Sequence, residues 1–345
     1  MSGEQRARTA NIFDVARLAG VSHQTVSRVL NDLPNVRPAT RQRVEDAIRQ
    51  LRYVPSPAAR ALVTRRSRVI GLITTGGPDY GKSLIALHLG AAAREARYGV
   101  STASMLDADD AALRAAAEML LRQNVEAIVL IATRTHTVHT LLAMELGVPL
   151  VTVSSLRLGD VSAVAVDQFR AAKSLTEYLI SLGHREVHHV SGPADSSDAI
   201  ERIRGWRAAL AEHGLAAPEP LAGDWTPDGG FRAGLELAAL APTAVFASND
   251  QTAMGVVHAF RTKGLRVPDD VSVVGFDDIP EAEHFQPALT TVRQDFRALG
   301  RDAFATVVEA IESEETPRPV LHLAELVVRD SAAIAEQRPL PIPPR

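Results

Sequence analysis

The chain predicts a small all-α head followed by a larger α/β body, and three observations predict it. Ile12 to Asn31 reads as two short helices about a tight turn. Charge is unevenly divided between the two ends of the chain. From Val69 onward, short apolar runs alternate with amphipathic segments. Residues 1–68 hold 13 Arg, no Lys and 5 Asp or Glu, a net of +8, whereas residues 69–345 hold the other 24 basic and 36 acidic side chains, net −12, leaving only −4 overall. A basic head can neutralise phosphates. An acidic body is repelled by them, which confines contact with a nucleic acid to the head.

In the head, Asn11 caps the first helix, and Asp14 three residues on makes an acidic version of a capping box. Val15, Ala16 and Ala19 fall at helical spacing and face inward, and Gly20 supplies the backbone freedom for a stop. Ser22 caps a second helix, with Val26, Val29 and Leu30 on one side and His23, Gln24, Ser27 and Arg28 on the other. Gln and Arg near a helix N-terminus suit the major groove, where Gln pairs with adenine and Arg with guanine. A third helix spans residues 36–52, with Val44, Ala47, Ile48 and Leu51 inward and Pro38 in its first turn. Ser56 to Leu62 reads as one short helix, too short to persist alone in water.

The stretches DVARLAGVSHQTVSRVLN and VRPATRQRVEDAIRQLRYVPSPAARAL resemble the DNA-binding head of the LacI/GalR family of bacterial repressors. The resemblance implies that His23, Gln24 and Arg28 read bases and that Ser22, Thr25, Ser27 and Asn31 contact the backbone. It also implies that Ala59 and Leu62 lie on the minor-groove face of a hinge helix that orders on operator DNA. Arg37 stands where the family usually has a capping Ser.

The body opens with a buried strand at Val69–Ile73 and a helix from Ser83 to Tyr98. Further strands fall at 100–106, 127–131 and 148–153, with a helix at 113–123 and another ending near Leu146. The alternation continues with helices at 171–182, 203–212, 231–240 and 252–263 and strands at 187–190, 243–247 and 271–276. Such units imply parallel sheets covered on both faces. Periodicity leaves one large doubly wound sheet and two smaller lobes equally open. The resemblance, which runs from about Asn11 to Asp330, implies the second: a two-lobed body like a periplasmic sugar-binding protein. The expected layout is a flexible arm (1–10), the helix-turn-helix domain (11–55), hinge helix and linker (56–68), an effector-binding and dimerisation body (69–330) and a flexible Pro-rich tail (331–345).

Pocket residues in open α/β sheets follow strand ends. The segments that do so carry Arg, Asn, Asp, Gln and aromatic side chains, the set that grips a neutral sugar. By resemblance, Arg202, Asn249 and Asp277 match the family's sugar-hydroxyl ligands, Trp225 an aromatic wall, and Gln294 and Phe296 complete the pocket. ASNDQTAMG, VSVVGFDD, GDW and LTTVRQDFRALG are most similar to the lactose-repressor branch, which implies a galactoside or related oligosaccharide. Ile131 and Ser154 or Ser155 depart from that branch, where an amide and an Asp are usual. Trp206, on a helix with Ile203 and Leu210, reads as core. The resemblance further implies a homodimer acting on a palindromic operator as a repressor, with no cofactor.

The alternative is a nucleotide-binding enzyme. Gly76 to Ser83 fits G-x-x-x-x-G-K-S, follows a strand and opens a helix, as a P-loop does. In that reading Lys82 reaches the phosphates and Ser83 the magnesium ion; a sugar phosphate on Lys82 lies between the two readings. Other catalytic and metal patterns are thin: His184, His188 and His189 cluster but match no metal template, and Asp107–Asp110 reads as a helix cap. With no Cys, disulfides and thiol chemistry are excluded. The polar N-terminus does not read as a secretory signal and no run is apolar enough to span a membrane, so a cytoplasmic protein is expected.

Overall fold

A computed structural model describes residues 10–30, 33–53, 66–77, 79–106, 109–155, 161–313 and 315–335. The chain divides into two compact units, 1–68 and 69–345. Among the described residues, the first holds three helices: α1 (Ile12–Ala19), α2 (His23–Leu30) and α3 (Pro38–Leu51). The capping box at α1 forms in both directions. The Asn11 side chain accepts from the Asp14 N–H at 3.1 Å, and the Asp14 carboxylate accepts from the Asn11 N–H at 3.0 Å. Gly20 ends the helix with φ +64°. Val15, Val26, Val44 and Ala47 close a small core between the three helices. Pro38 opens α3, and Arg37 before it makes no side-chain cap, as its departure from the family pattern implied. The expected hinge helix lies outside the described residues.

The second unit has two lobes. Residues 69–153 supply β1 (Val69–Thr75), α4 (Tyr80–Glu95), β2 (Gly99–Met105), α5 (Asp110–Arg122), β3 (Ala127–Ile131), α6 (Thr135–Leu142) and β4 (Leu150–Val153), and β5 follows (Ser162–Val166). The chain then crosses to the second lobe for α7 (Gln168–Ser181), β6 (Val187–Ser191), α8 (Ser197–Glu212), β7 (Leu221–Ala222), α9 (Pro227–Leu240), β8 (Ala244–Ala247), α10 (Asp250–Thr262), β9 (Ser272–Val274) and β10 (Thr291–Arg293). It returns for α11 (Phe296–Glu312) and β11 (Val320–His322), and crosses once more into β12 (Glu325–Val327). The first sheet runs β11-β5-β4-β3-β1-β2, all parallel, and the second β7-β6-β8-β9, also parallel. β10 and β12 pair antiparallel beside it.

The central strands of each sheet are buried on both faces, which is why β3 and β8 read as unbroken apolar runs. In β3 the side chains of Ala127, Val129 and Ile131 pack with α4 and α11, while Ile128 and Leu130 pack with α5 and α6. In the second lobe Val187, Phe246 and Val274 meet α7 and α8, and Val190, Val245 and Val273 meet α9 and α10. Trp206 is fully buried among the first of these and donates to the Val187 carbonyl at 3.0 Å, so its assignment to the core stands.

Several helices start earlier than the sequence suggested, because their caps lie before the first apolar residue. Asp79 caps α4, which begins at Tyr80 and not at Ser83; Ser196 caps α8, which begins at Ser197 and puts Arg202 inside the helix. β5, β7, β10, β11 and β12 went unread, being only two to five residues long and meaningful only beside their partners. The expected tail also begins too early. Ser331 is buried, its hydroxyl donating to the Val273 carbonyl at 2.6 Å and accepting from the Thr290 N–H at 2.8 Å. Ala335 donates to the Leu182 carbonyl at 2.8 Å. The rest of that tail, 336–345, lies outside the described residues.

Candidate functional site

On α2 the apolar side is covered and the polar side is open: Ser22, His23, Gln24 and Arg28 are exposed, and Thr25 and Ser27 half-buried. The Ser22 hydroxyl accepts from the Thr25 N–H at 3.2 Å and shares a 3.0 Å hydrogen bond with its hydroxyl, so it caps the helix it precedes. The His23 ring leans on Phe13, 5.2 Å between centroids. His23, Gln24 and Arg28 thus stand on one open helical face. Asn31, Ala59 and Leu62 lie outside the described residues.

Between the two lobes of the body lies a cavity of about 90 Å³, open on one side. Arg202, Trp225, Asn249, Asp277, Gln294 and Phe296 all line it. Arg202 is 3% exposed. Its Nε donates to Gln168 Oε1 at 2.9 Å, its Nη1 to the Ser248 carbonyl, and its Nη2 faces Asp277 Oδ1 at 3.5 Å. Gln168 Nε2 donates to Gln294 Oε1 at 2.9 Å, and Gln294 Nε2 to Asp277 Oδ1 at 2.6 Å. Arg202, Gln168, Gln294 and Asp277 therefore close a ring of hydrogen bonds at one wall of the cavity. The guanidinium also lies over the Phe276 ring at 3.7 Å and near Trp225 at 5.3 Å. A planar cation held by three acceptors and an aromatic face is fixed in orientation.

The neighbours complete the wall. Asn249 caps α10, accepting from the Thr252 N–H at 2.8 Å while its amide donates to the Trp225 carbonyl at 3.2 Å. One side chain thus both caps α10 and lines the cavity. Trp225 has φ +68° and lies against Gly192, where a Cβ would come within 2.3 Å of the indole. Burial pushes the Asp277 carboxyl up to about 7; Arg202 opposes the rise, and Asp79 adds to it. Asp278, by contrast, is engaged by Arg293 at 2.7 Å and Arg329 at 2.7 Å and holds the loop.

Gln168 is the member of the ring that sequence reasoning missed. The signal available was its place as the first residue of a helix just after a strand end. The first lobe faces this wall with Ile85, Ile131, Val153, Val164 and Val166, together with Tyr80, Thr133, Ser154 and Ser155. Across the cleft the lobes also touch directly: Arg134 Nε donates to Asp195 at 2.5 Å, and the Ser197 N–H to the Thr133 carbonyl at 2.7 Å.

The P-loop alternative does not survive the geometry. Asp79 holds the N-terminus of α4, accepting from the Lys82 N–H at 2.8 Å, and pairs with Lys82 Nζ at 2.7 Å. Nζ also donates to the Thr75 carbonyl at 3.1 Å. A carboxylate thus sits where a phosphate would be cradled. The histidines have structural partners. His184 bonds Thr243 at 3.1 Å, Ser272 at 3.0 Å and the Ala333 carbonyl at 3.1 Å, and His189 bonds the Phe246 carbonyl at 2.9 Å. Among the described residues no group of side chains is arranged to hold a metal ion, and no helix is long and apolar enough to cross a membrane.

A helix-turn-helix unit with an open polar face, joined in one chain to a two-lobed α/β unit around a polar cavity, defines a ligand-responsive DNA-binding regulator. Residues 11–56 match the model of bacterial regulatory proteins of the lacI family, and residues 176–332 that of a periplasmic binding protein-like domain. The chain is 35% identical to the HTH-type transcriptional regulator CelR of Thermobifida fusca over 95% of this chain and 99% of that one. It is 30% identical to the lactose operon repressor of Escherichia coli K12 over 93% and 90%. Its fold is similar to that of the lac repressor dimer bound to operator and the anti-inducer ONPF, with TM-score 0.86 and 29% identity, covering 94% of this chain and 100% of that one. For a CelR–cellobiose complex the TM-score is 0.72 at 32% identity, again over 94% and 100%. The chain belongs to the LacI family. It is a DNA-binding transcriptional repressor with an effector-binding domain, and not an enzyme.

Proposed function

We propose that this repressor acts as a homodimer on a palindromic operator and that a small neutral saccharide, a galactoside or related oligosaccharide, sets its operator affinity from the cleft of the body. His23, Gln24 and Arg28 read base edges. Ser22, Thr25, Ser27 and Asn31 contact the DNA backbone, and Ala59 and Leu62 of the hinge segment face the minor groove. In the cleft, Arg202, Asn249, Asp277 and Gln294 hold sugar hydroxyls, and Trp225 and Phe296 cover the C–H faces of the rings.

The observation that carries this reading is the closed ring of Arg202, Gln168, Gln294 and Asp277, which presents fixed donors and acceptors to one side of a cavity with an aromatic wall. Hydroxyl pairs on a sugar ring bond well to such a preset array, because its orientation is settled before the ligand arrives. Two relatives support the choice of ligand class: CelR, whose structure is a cellobiose complex, and the lac repressor, solved with ONPG and ONPF. The same lac repressor complex is a dimer on operator. Sugar and operator are linked through a population shift, worth about 1–3 kcal/mol per effector event in typical allosteric proteins.

The test begins with operator selection from a random duplex library, followed by titration of the chosen palindrome with and without lactose, cellobiose and their relatives. One sugar is expected to lower operator affinity; equal affinity with every sugar would sink the proposal. Arg28→Ala is expected to lose about 1–3 kcal/mol of discrimination at one base pair while binding the sugar as before.

A further inference from the structure

Five helices of the body start at the cleft: α4, α7, α8, α10 and α11 each place an N-terminal residue on its lining, namely Lys82, Gln168, Asp198, Asn249 and Phe296. Helix N-termini carry partial positive charge and open N–H groups, so their convergence would ordinarily make an anion site. Here each start carries an acid. Asp79 caps α4, Asp167 caps α7 and Asp295 caps α11, accepting from Lys82, Arg170 and Ala298 N–H groups at 2.8, 2.9 and 2.8 Å. Asp198 and Asp250 occupy the first turns of α8 and α10.

The side-chain cations are each paired with a carboxylate. Among the described residues Lys82 and Arg202 are the cations on the lining. Lys82 is bound to Asp79 at 2.7 Å and to the Thr75 carbonyl at 3.1 Å, and Arg202 is committed to Gln168, Ser248 and Asp277. Among the described residues three carboxylates line the cavity against two cations. The third, Asp198, has no cation within 4.0 Å among the described residues and accepts a hydrogen bond from Ser197 Oγ at 3.5 Å. The Asp277 carboxyl is pushed up chiefly by burial, against the pull of Arg202, with Asp79 and Asp198 both adding to the rise. A phosphate or carboxylate brought by a ligand would join this negative set in a partly desolvated site.

We propose that the cleft rejects anions: its effector is a saccharide bearing no phosphate or carboxylate, and Asp79 and Asp198 are the residues that enforce the choice. Asp79 withholds Lys82 from a ligand, and Asp198, with no paired cation, faces the cleft as an acceptor suited to a hydroxyl or an amino group. Selectivity of this kind comes from repulsion of the wrong ligand as much as from attraction of the right one. The inference rests on reading the cavity as the effector site, but not on which sugar fills it.

The test compares the intact protein with Asp79→Asn, Asp198→Asn and the double variant. Asn caps a helix as well as Asp does, so α4 keeps its start while Lys82 loses its counter-charge. Melting temperature is followed against inorganic phosphate at constant ionic strength, with chloride as reference, and against lactose, cellobiose and their 6-phosphates. The wild type is expected to ignore phosphate and the sugar phosphates. The double variant is expected to be stabilised by phosphate through mass action, with an apparent affinity at least about 10-fold above wild type, or about 1.4 kcal/mol. Phosphate stabilising wild type and double variant alike would overturn the proposal, as would a cooperatively folded double variant that gains nothing. If the phosphate results hold but no sugar moves the wild type, the saccharide reading fails while anion exclusion stands.

Discussion

The two lobes of the body share parallel sheets and flanking helices, yet they face the cavity with opposite chemistry. The second lobe brings Gln168, Arg202, Asp277 and Gln294, already bonded to one another, and Trp225. The first lobe brings Ile85, Ile131, Val153, Val164 and Val166 beside the closed Asp79–Lys82 pair. A preset polar wall orients a ligand and an apolar wall covers it, so changes on the second lobe should abolish binding and changes on the first should re-tune it. The cost of a buried polar network explains the asymmetry. Each member must be satisfied before the ligand comes, and one ring of this kind is easier to build within a lobe than across a moving cleft.

The largest effect should come from Arg202→Met. It leaves Asp277 and Gln168 without their shared cation, a loss of about 3–5 kcal/mol for a buried pair. Calorimetry should find sugar affinity gone while operator affinity persists; retained induction would remove Arg202 from the pocket. Next is acid stability. Burial holds His189 down to about 4 from its ordinary 6.5. The unfolded chain takes up the proton first, so this stabilising contribution is complete above pH 6.5 and is lost as pH falls from 6.5 to 4, about 3 kcal/mol in all. His189→Leu should flatten the fall of melting temperature over that range.

Asp277 makes a third prediction, on binding. With its carboxyl pushed up to about 7, a sugar that prefers the ionised form should bind more weakly on acidification, by roughly 10-fold per pH unit below 7. Asp277→Asn should abolish the slope. On the first lobe, Ile131→Asn should reorder the sugars while shifting affinity by about 1–3 kcal/mol; loss of all binding would contradict the contrast between lobes. The smallest effect belongs to the exposed Arg134–Asp195 pair across the cleft. Arg134→Ala should change affinity by less than about 1 kcal/mol, and less still in high salt.

Local physics made much of this legible in advance. Asn11 with Asp14, Ser22 and Pro38 marked helix starts because capping depends on residues three apart, and β3 was read to the residue because it is buried on both faces. Arg202, Asn249, Asp277, Gln294, Trp225 and Phe296 were legible by resemblance, and the structure gathers them on one cavity. The ring was not legible. Gln168 and Gln294 are 126 positions apart, and Arg202 and Asp277 are 75 apart. No local rule links them.

The amino-acid sequence by itself determined the helical head, its opposite charge to the body, and the alternation of strands and helices that makes parallel sheets. These follow from spacing, capping and composition, which act over a few residues. The tertiary structure alone decided that Lys82 serves Asp79 rather than a nucleotide, and that β11 completes the first sheet beside β5. It also decided that two distant glutamines join an arginine and an aspartate in one ring. Each of these depends on which side chain arrives first at a shared partner, and only the folded chain brings the competitors within reach.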